Sequence, residues 1–227
     1  MSSSSTPISG VRLCESALPE TLFQKVDGAV RSAFREKERG KSSYSTTFWY
    51  PRDTAPANVA EEAIAALMQK VELPQNCIGT EWWLGRLRYR KKLNFHFDRD
   101  LVLSRETGES VFPLLGSVFY LNDYPSSPTV LTDQVPGPDG KSKMPAEPNL
   151  TLAVAAIRNN YVVFPGNLYH GVVPDPAISH TDAITGEEPQ EKRLTLLVNY
   201  WHRRPSAPIC QDFDGSVYPS LLSPVAA

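Results

Sequence analysis

The segment Asn94-Phe95-His96-Phe97-Asp98 places an imidazole and a carboxylate two residues apart among aromatic side chains. Side chains alternate faces along an extended strand, so His96 and Asp98 point one way and Phe95 and Phe97 the other. Such a pair can chelate one metal ion and needs a third ligand from elsewhere. Tyr169-His170-Gly171 offers a second imidazole 74 residues after His96, directly behind the turn-like Pro165-Gly166-Asn167. Two His and one carboxylate on one face of an octahedral ion leave its other positions open, the facial set that suits non-haem Fe(II) and oxygen chemistry. His180-Thr181-Asp182 repeats the spacing, but its flanks are polar and it reads as solvated surface.

A second group of interest heads the run from Arg193 to Trp201. Arg193 and Thr195 share one strand face, and a guanidinium recognises a carboxylate through a planar, two-pronged contact. Taken alone, an arginine at a strand start more often faces solvent.

These residues need elements to position them. Pro19 suits a first helical turn, Leu22, Phe23, Val26, Val30 and Phe34 repeat at helical steps, and Gly40 suits the stop. A second helix is predicted from about Asn58 to Val71, and Ser42–Tyr50 reads as a strand. Further strand-like runs lie near 81–90, 93–98, 111–121, 128–132, 149–157, 160–164, 169–174 and 192–202. Short strands after two helices predict a mainly β sandwich or barrel with flanking helices on one face. Two long loops, Asp133–Pro148 and Asp175–Glu191, interrupt it. Arg86, Arg88 and Arg90 alternate ahead of Lys91-Lys92 and read as the solvated face of an edge strand, with a turn at the lysines resetting the register. Residues 1–10 read as a disordered, Ser-rich lead.

Composition excludes several classes. With 23 Lys+Arg against 25 Asp+Glu the chain is no strongly basic nucleic-acid binder. No apolar run approaches the roughly 20 residues of a membrane span, and Met1–Thr6 has no apolar signal-peptide core. Three cysteines without Cys-x-x-Cys spacing suit a reducing compartment, so a cytoplasmic location is expected. A length of 227 residues suits one domain.

Five motifs in order carry a family resemblance. His96-x-Asp98, Phe119-Tyr120-Leu121-Asn122-Asp123, Val163-Phe164-Pro165-Gly166, His170-Gly171, and Arg193 ahead of a strand ending in Trp201 together resemble the Fe(II)/2-oxoglutarate-dependent dioxygenases. The prolyl-hydroxylase-like branch is the nearest in pattern, and the resemblance covers roughly Trp82 to Trp201. It implies a double-stranded β-helix, or jelly roll, packed by the two N-terminal helices. Residues 11–227 would form one oxygenase domain: a helical flank at about 18–73, a core at about 80–202 and an irregular tail at 203–227. It further implies that His96, Asp98 and His170 bind catalytic Fe(II). Arg193 would pair with the distal carboxylate of the co-substrate 2-oxoglutarate and Tyr120 would hydrogen-bond to it; Thr195, which shares the face of Arg193, is a further candidate for binding that carboxylate.

The chain departs from the branch in two places. Ser126-Ser127-Pro128-Thr129 stands where a Gly-Gly-Glu-Thr-like stretch is usual, and Arg193 follows His170 by 23 residues instead of closely. Strand direction accommodates the second departure. If His170 opens a strand at the metal end, residues 175–191 form a loop at the far end and Arg193 starts the return strand deep in the barrel.

The implied activity converts 2-oxoglutarate and O2 to succinate and CO2 while hydroxylating or otherwise oxidising a C–H bond of a small-molecule or amino-acid-like substrate. The carboxylate at position 98 disfavours a halogenase. The alternatives are a cupin-like metal dioxygenase that needs no 2-oxoglutarate and a catalytically silent jelly-roll binding module. Loops at the metal end, 99–110, 133–148 and 165–169, with the region after Trp201, would form the substrate mouth, with Arg99, Asp133, Gln134, Trp201 and Arg203 as candidate contacts.

Overall fold

Helical periodicity and strand alternation both fold as their patterns require in the computed structural model, which describes residues 7–39, 46–175 and 192–222. Helix α1 spans Glu20–Arg39 and α2 spans Val59–Met68. Asn58 caps α2 by accepting the Glu61 N–H at 3.0 Å, and the Glu61 carboxylate accepts the Ala57 N–H at 2.8 Å, so polar groups close the helix start in both directions. The strands are β1 (Arg12–Cys14), β2 (Thr47–Pro51), β3 (Gly79–Leu87), β4 (Leu93–His96), β5 (Leu115–Tyr120), β6 (Tyr124–Thr132), β7 (Val135–Pro136), β8 (Lys143–Met144), β9 (Thr151–Ala156), β10 (Tyr161–Pro165), β11 (His170–Val172), β12 (Arg193–Trp201) and β13 (Cys210–Asp212). A short helix α3, Leu101–Thr107, lies between β4 and β5.

Seven strands form one sheet in the order β1-β10-β5-β12-β3-β2-β13, and four form a second in the order β4-β11-β6-β9. These are the two layers of the expected jelly roll. Along β12, Leu194, Leu196, Val198 and Tyr200 face outward into a core shared with Phe23, Val26 and Val30 of α1 and Ala63, Ile64 and Leu67 of α2. The alternate residues, Arg193, Thr195, Leu197, Asn199 and Trp201, therefore face inward. Tyr120, Val118, Leu131, Val154 and Phe164 pack together between the sheets.

Several expectations need correction. The arginine row does lie at an edge, since β2 pairs only with Gly79–Trp82 and leaves the far end of β3 to β12 alone; Arg88 and Arg90 are exposed there, but Arg86 is half-buried and lies over the Phe34 ring of α1 at 5.1 Å. The expected turn is present slightly earlier, with Lys91 N–H donating to Arg88 C=O at 3.1 Å and Arg90 at φ 53°. The lead is not structureless to residue 10, because Ile8 is buried beside Val11. Nor is the tail irregular throughout: β13 pairs parallel to β2, and Tyr218 and Leu221 join the core under the helices. The 99–110 segment contains α3, capped by the Asp100 side chain on Leu103 N–H at 3.0 Å and ended by Gly108 at φ 78°, a left-handed conformation that favours glycine. The 133–148 loop holds the small hairpin β7–β8. Residues 1–6, Gly40, Tyr44, His180, Asp182, all but Asp175 of the 175–191 loop, and residues 223–227 lie outside the described residues. Among the described residues no helix is long and apolar enough to cross a membrane.

Asn159 ties the helical flank to the sheet. At φ 60°, its side-chain Oδ1 accepts the Leu18 N–H and its side-chain Nδ2–H donates to the Leu18 C=O, both at 2.9 Å. Replacing Asn159 by Ala removes two buried hydrogen bonds and puts a poorer residue in the left-handed region. The expected loss is about 2–4 kcal/mol in denaturant unfolding. A loss below about 0.5 kcal/mol would show that the clamp does not hold the flank.

Candidate metal centre

Strand pairing brings the three candidate ligands together. β4 and β11 run antiparallel with His96 directly opposite His170, and Asp98 follows two residues after His96. His96 Nε2 lies 3.3 Å from Asp98 Oδ1, and His170 Nε2 lies 3.7 Å from Asp98 Oδ2. The three ligand atoms all sit within 4.8 Å of one another. Phe95 and Phe97 take the opposite face, where their rings meet Tyr169 at 5.5 and 4.9 Å.

The surroundings orient each ligand. His96 Nδ1 is 2.9 Å from Asn94 C=O, and His170 Nδ1 is 2.9 Å from Leu168 C=O. A carbonyl only accepts, so each Nδ1 carries the proton and each Nε2 presents a lone pair, as metal-bound histidines require. Asn199, on the inward face of β12, donates to Asp98 Oδ2 at 3.1 Å. Burial alone would push the Asp98 carboxyl up, but His170, His96 and Asn199 outweigh it and hold the group at about 2. Burial also lowers His170, whereas at His96 the hydrogen bond and charge of Asp98 overcome burial and raise it. A carboxylate that stays ionised and two imidazoles with free Nε2 atoms form a donor set that fits a divalent transition metal.

Deeper in the barrel lies a second polar group. Arg193 Nη2 donates to Thr129 Oγ1 at 2.7 Å, Tyr120 OH donates to the same oxygen at 2.7 Å, and the guanidinium lies 5.3 Å from the centre of the Tyr120 ring. Arg193 is 5% exposed, has no carboxylate partner among the described residues, and leaves its Nε without a hydrogen bond. Burial accordingly lowers its pKa. Thr195 is buried on the same face, opposite Gly85, where a Cβ would collide with the Thr195 hydroxyl. Thr129 pairs with Val172 and Leu131 with His170, so the guanidinium's partner stands two residues, about 7 Å, along the strand from the metal ligands.

A cleft of about 370 Å³ opens beside Asp98. Of the five residues expected at the substrate mouth, Arg99 lines it and the other four are committed elsewhere. The Asp133 carboxylate accepts from the Asn149 backbone and side-chain N–H groups at 3.0 and 3.2 Å and closes the long loop. Gln134 donates to Pro145 and Ala146 carbonyls inside that loop, both at 2.9 Å. Trp201 is fully buried and donates Nε1–H to Glu81 at 3.2 Å. Arg203 pairs with Asp100 at 3.0 Å. Sequence reasoning missed Glu81, Asn199, Arg105 and Thr129. Strand alternation alone would have put Asn199 on the face of Arg193, and Glu81 and Trp83 on the face opposite Trp82. Arg105 sits on α3, which the sequence pattern of 99–110 does not predict.

Neither a family model nor a curated protein matches the sequence. Solved structures do. The non-haem α-ketoglutarate-dependent epimerase SnoN from nogalamycin biosynthesis is 14% identical, covering 85% of this chain and 78% of its own, with a TM-score of 0.50. A prolyl-4-hydroxylase from Pseudomonas putida is 19% identical over 86% of this chain and 89% of its own, with a TM-score of 0.48. HygX from Streptomyces hygroscopicus, solved with nickel and 2-oxoglutarate, is 13% identical over 85% and 82%, with a TM-score of 0.46. At such identities the likeness concerns the fold alone, which this chain shares with the α-ketoglutarate-dependent epimerase SnoN.

Proposed function

We propose that the chain is an Fe(II)/2-oxoglutarate-dependent oxygenase that oxidises a C–H bond of a small-molecule or amino-acid-like substrate. The observation that carries this reading is Arg193, a buried cation with no counter-charge among the described residues, one short step behind a His-Asp-His face. An uncompensated buried charge costs several kcal/mol, so a chamber that keeps one suits an anionic guest. A five-carbon diacid bridges the separation between the two sites. A cupin-like dioxygenase without such a guest has no use for Arg193.

His96 and His170 would hold the metal through Nε2, and Asp98 through a carboxylate oxygen. Bound Fe(II), with 2-oxoglutarate and O2, supplies the oxidising chemistry that yields succinate and CO2 and breaks a substrate C–H bond. The chain's own tasks are positional. Asn199 fixes Asp98, the Asn94 and Leu168 carbonyls fix the imidazoles, and Arg193 with Thr129 and Tyr120 receives the distal carboxylate. Leu131, Val118 and Phe164 pack around that chamber and keep water out.

Three outcomes test the reading. Purified protein supplied with Fe(II) should release succinate from 2-oxoglutarate, and His170→Ala should lose both metal and turnover; wild-type iron content in that variant would refute the metal site. Arg193→Ala should raise the 2-oxoglutarate KM about tenfold to a hundredfold while metal affinity stays within about twofold, with Arg193→Lys intermediate, because a charged hydrogen bond is worth about 1.5–3 kcal/mol. An unchanged KM would remove the co-substrate from this chamber. Metal affinity should fall on acidification as protons compete for the imidazoles, starting at His96, whose pKa is raised, while Asp98 stays ionised to about 2. Calorimetric titration at several pH values reads this, and a pH-independent affinity between about pH 5 and 7 would contradict imidazole ligation.

A further inference from the structure

The charges lining the cleft are not balanced alike. Its acids already have partners. Asp98 lies between the two imidazoles and Asn199. Asp100 accepts from Leu103 N–H, Ser206 N–H, the Ser206 hydroxyl and Arg203, at 2.8–3.0 Å, which uses the acceptor capacity of a carboxylate. Glu81 accepts from the Thr47 hydroxyl at 2.6 Å and from Trp201 Nε1–H, and burial, reinforced by Asp98 and Asp100, pushes it up to about 7, so it is only partly charged at neutral pH. The cations differ. Arg99, half-buried, and Arg105, exposed, line the same cleft, and neither makes an ion pair or a side-chain hydrogen bond among the described residues.

Local structure explains why both arginines reach it. Arg99 directly follows a candidate metal ligand, and Asp100 caps α3. Leu101, Val102 and Arg105 all line the cleft and stand at i, i+1 and i+4 on one face of that helix. Trp83 and Ile209 add apolar wall, and a volume of about 370 Å³ suits a small molecule.

Building on the oxygenase reading, we infer that this cleft is the substrate site and that it takes a small organic anion, with Arg99 and Arg105 binding its carboxylate or phosphate group. The apolar part of the molecule then lies against Leu101, Val102 and Trp83, beside Asp98, the one candidate metal ligand that lines the cleft. This assigns charge and size to the substrate and gives Arg105 a binding role.

The test uses Zn(II)-loaded protein and a size-matched library of small carboxylic acids, their primary amides, and phosphate monoesters, read by ligand-observed NMR. Wild type, the Arg99→Ala/Arg105→Ala double variant, Arg99→Lys and Arg193→Ala are compared at equal thermal stability. Acids or phosphate esters should bind where the amides do not, and the preferred anion class identifies the group. Affinity for these binders should drop at least about tenfold in the double variant, partly recover in Arg99→Lys, and stay unchanged in Arg193→Ala. Amides binding as well as acids, or anion affinities indifferent to both arginines, would overturn the inference. Affinity for 2-oxoglutarate should show the opposite dependence, lost in Arg193→Ala and kept in the double variant. If it survives in Arg193→Ala, the co-substrate reading fails while the cleft result is still read from the double variant.

Discussion

His96 faces His170 across β4 and β11, and every other feature of the centre is arranged around that pairing. Because strand side chains alternate with period two, a slip of one residue in either strand would turn one imidazole out of the barrel. The register is secured from both sides. β11 also pairs with β6, which places Leu131 beside His170 and Thr129 beside Val172, so the same ladder that sets the metal ligands sets the position of the hydroxyl that meets Arg193. The large sheet answers from the opposite wall, where β12 carries Asn199 near one end and Arg193 at the other. One strand therefore touches the candidate metal ligand Asp98 and carries the buried Arg193 at once.

That arrangement has a stability consequence. Arg193 lies buried with Thr129 and Tyr120 as its hydroxyl partners and an unbonded Nε. Burial of the cation carries a desolvation cost; an anion bound beside it would offset that cost and by mass action would stabilise the folded chain. The buried tyrosines on the other side of the large sheet contrast with it. Tyr161 and Tyr200 share a 2.7 Å hydrogen bond, and Tyr161 also meets the Ser117 hydroxyl at 2.9 Å, so this network is closed on itself and asks for no guest. The two polar clusters lie on opposite faces of the same sheet, one complete and one without a counter-charge among the described residues.

Alternation made much of this legible in the sequence. It predicted that His96 and Asp98 share a face, that Phe95 and Phe97 do not, and that Arg193 and Thr195 point together. The strands around them were visible as apolar runs, and the helical flank as a repeat of Val and Phe. What escaped detection was local polar chemistry with long-range partners. α3 has seven residues and depends on a cap at Asp100 whose carboxylate is also held from residues 203 and 206, so its stability is not local. β13 is a three-residue strand made possible by β2, far away in sequence. Asp133 and Gln134 look exposed and functional in a polar stretch, yet their hydrogen bonds close their own loop. Whether a polar side chain serves the loop that bears it or a ligand depends on where that loop returns, and periodicity carries no information about that.

The two anion sites would work in different dielectric settings. Arg193 is enclosed, so its attraction for a carboxylate is little screened by salt and depends on geometry. Arg99 and Arg105 border solvent, where each contact is weaker and falls with ionic strength. On the proposed assignment, the enclosed site holds the invariant co-substrate tightly, whereas the open site contributes selectivity and steering for a substrate that must enter and leave. The acids of the cleft fit this division: Asp100 is paired with Arg203 and Asp98 lies between the two imidazoles, so neither forms an ion pair with Arg99 or Arg105.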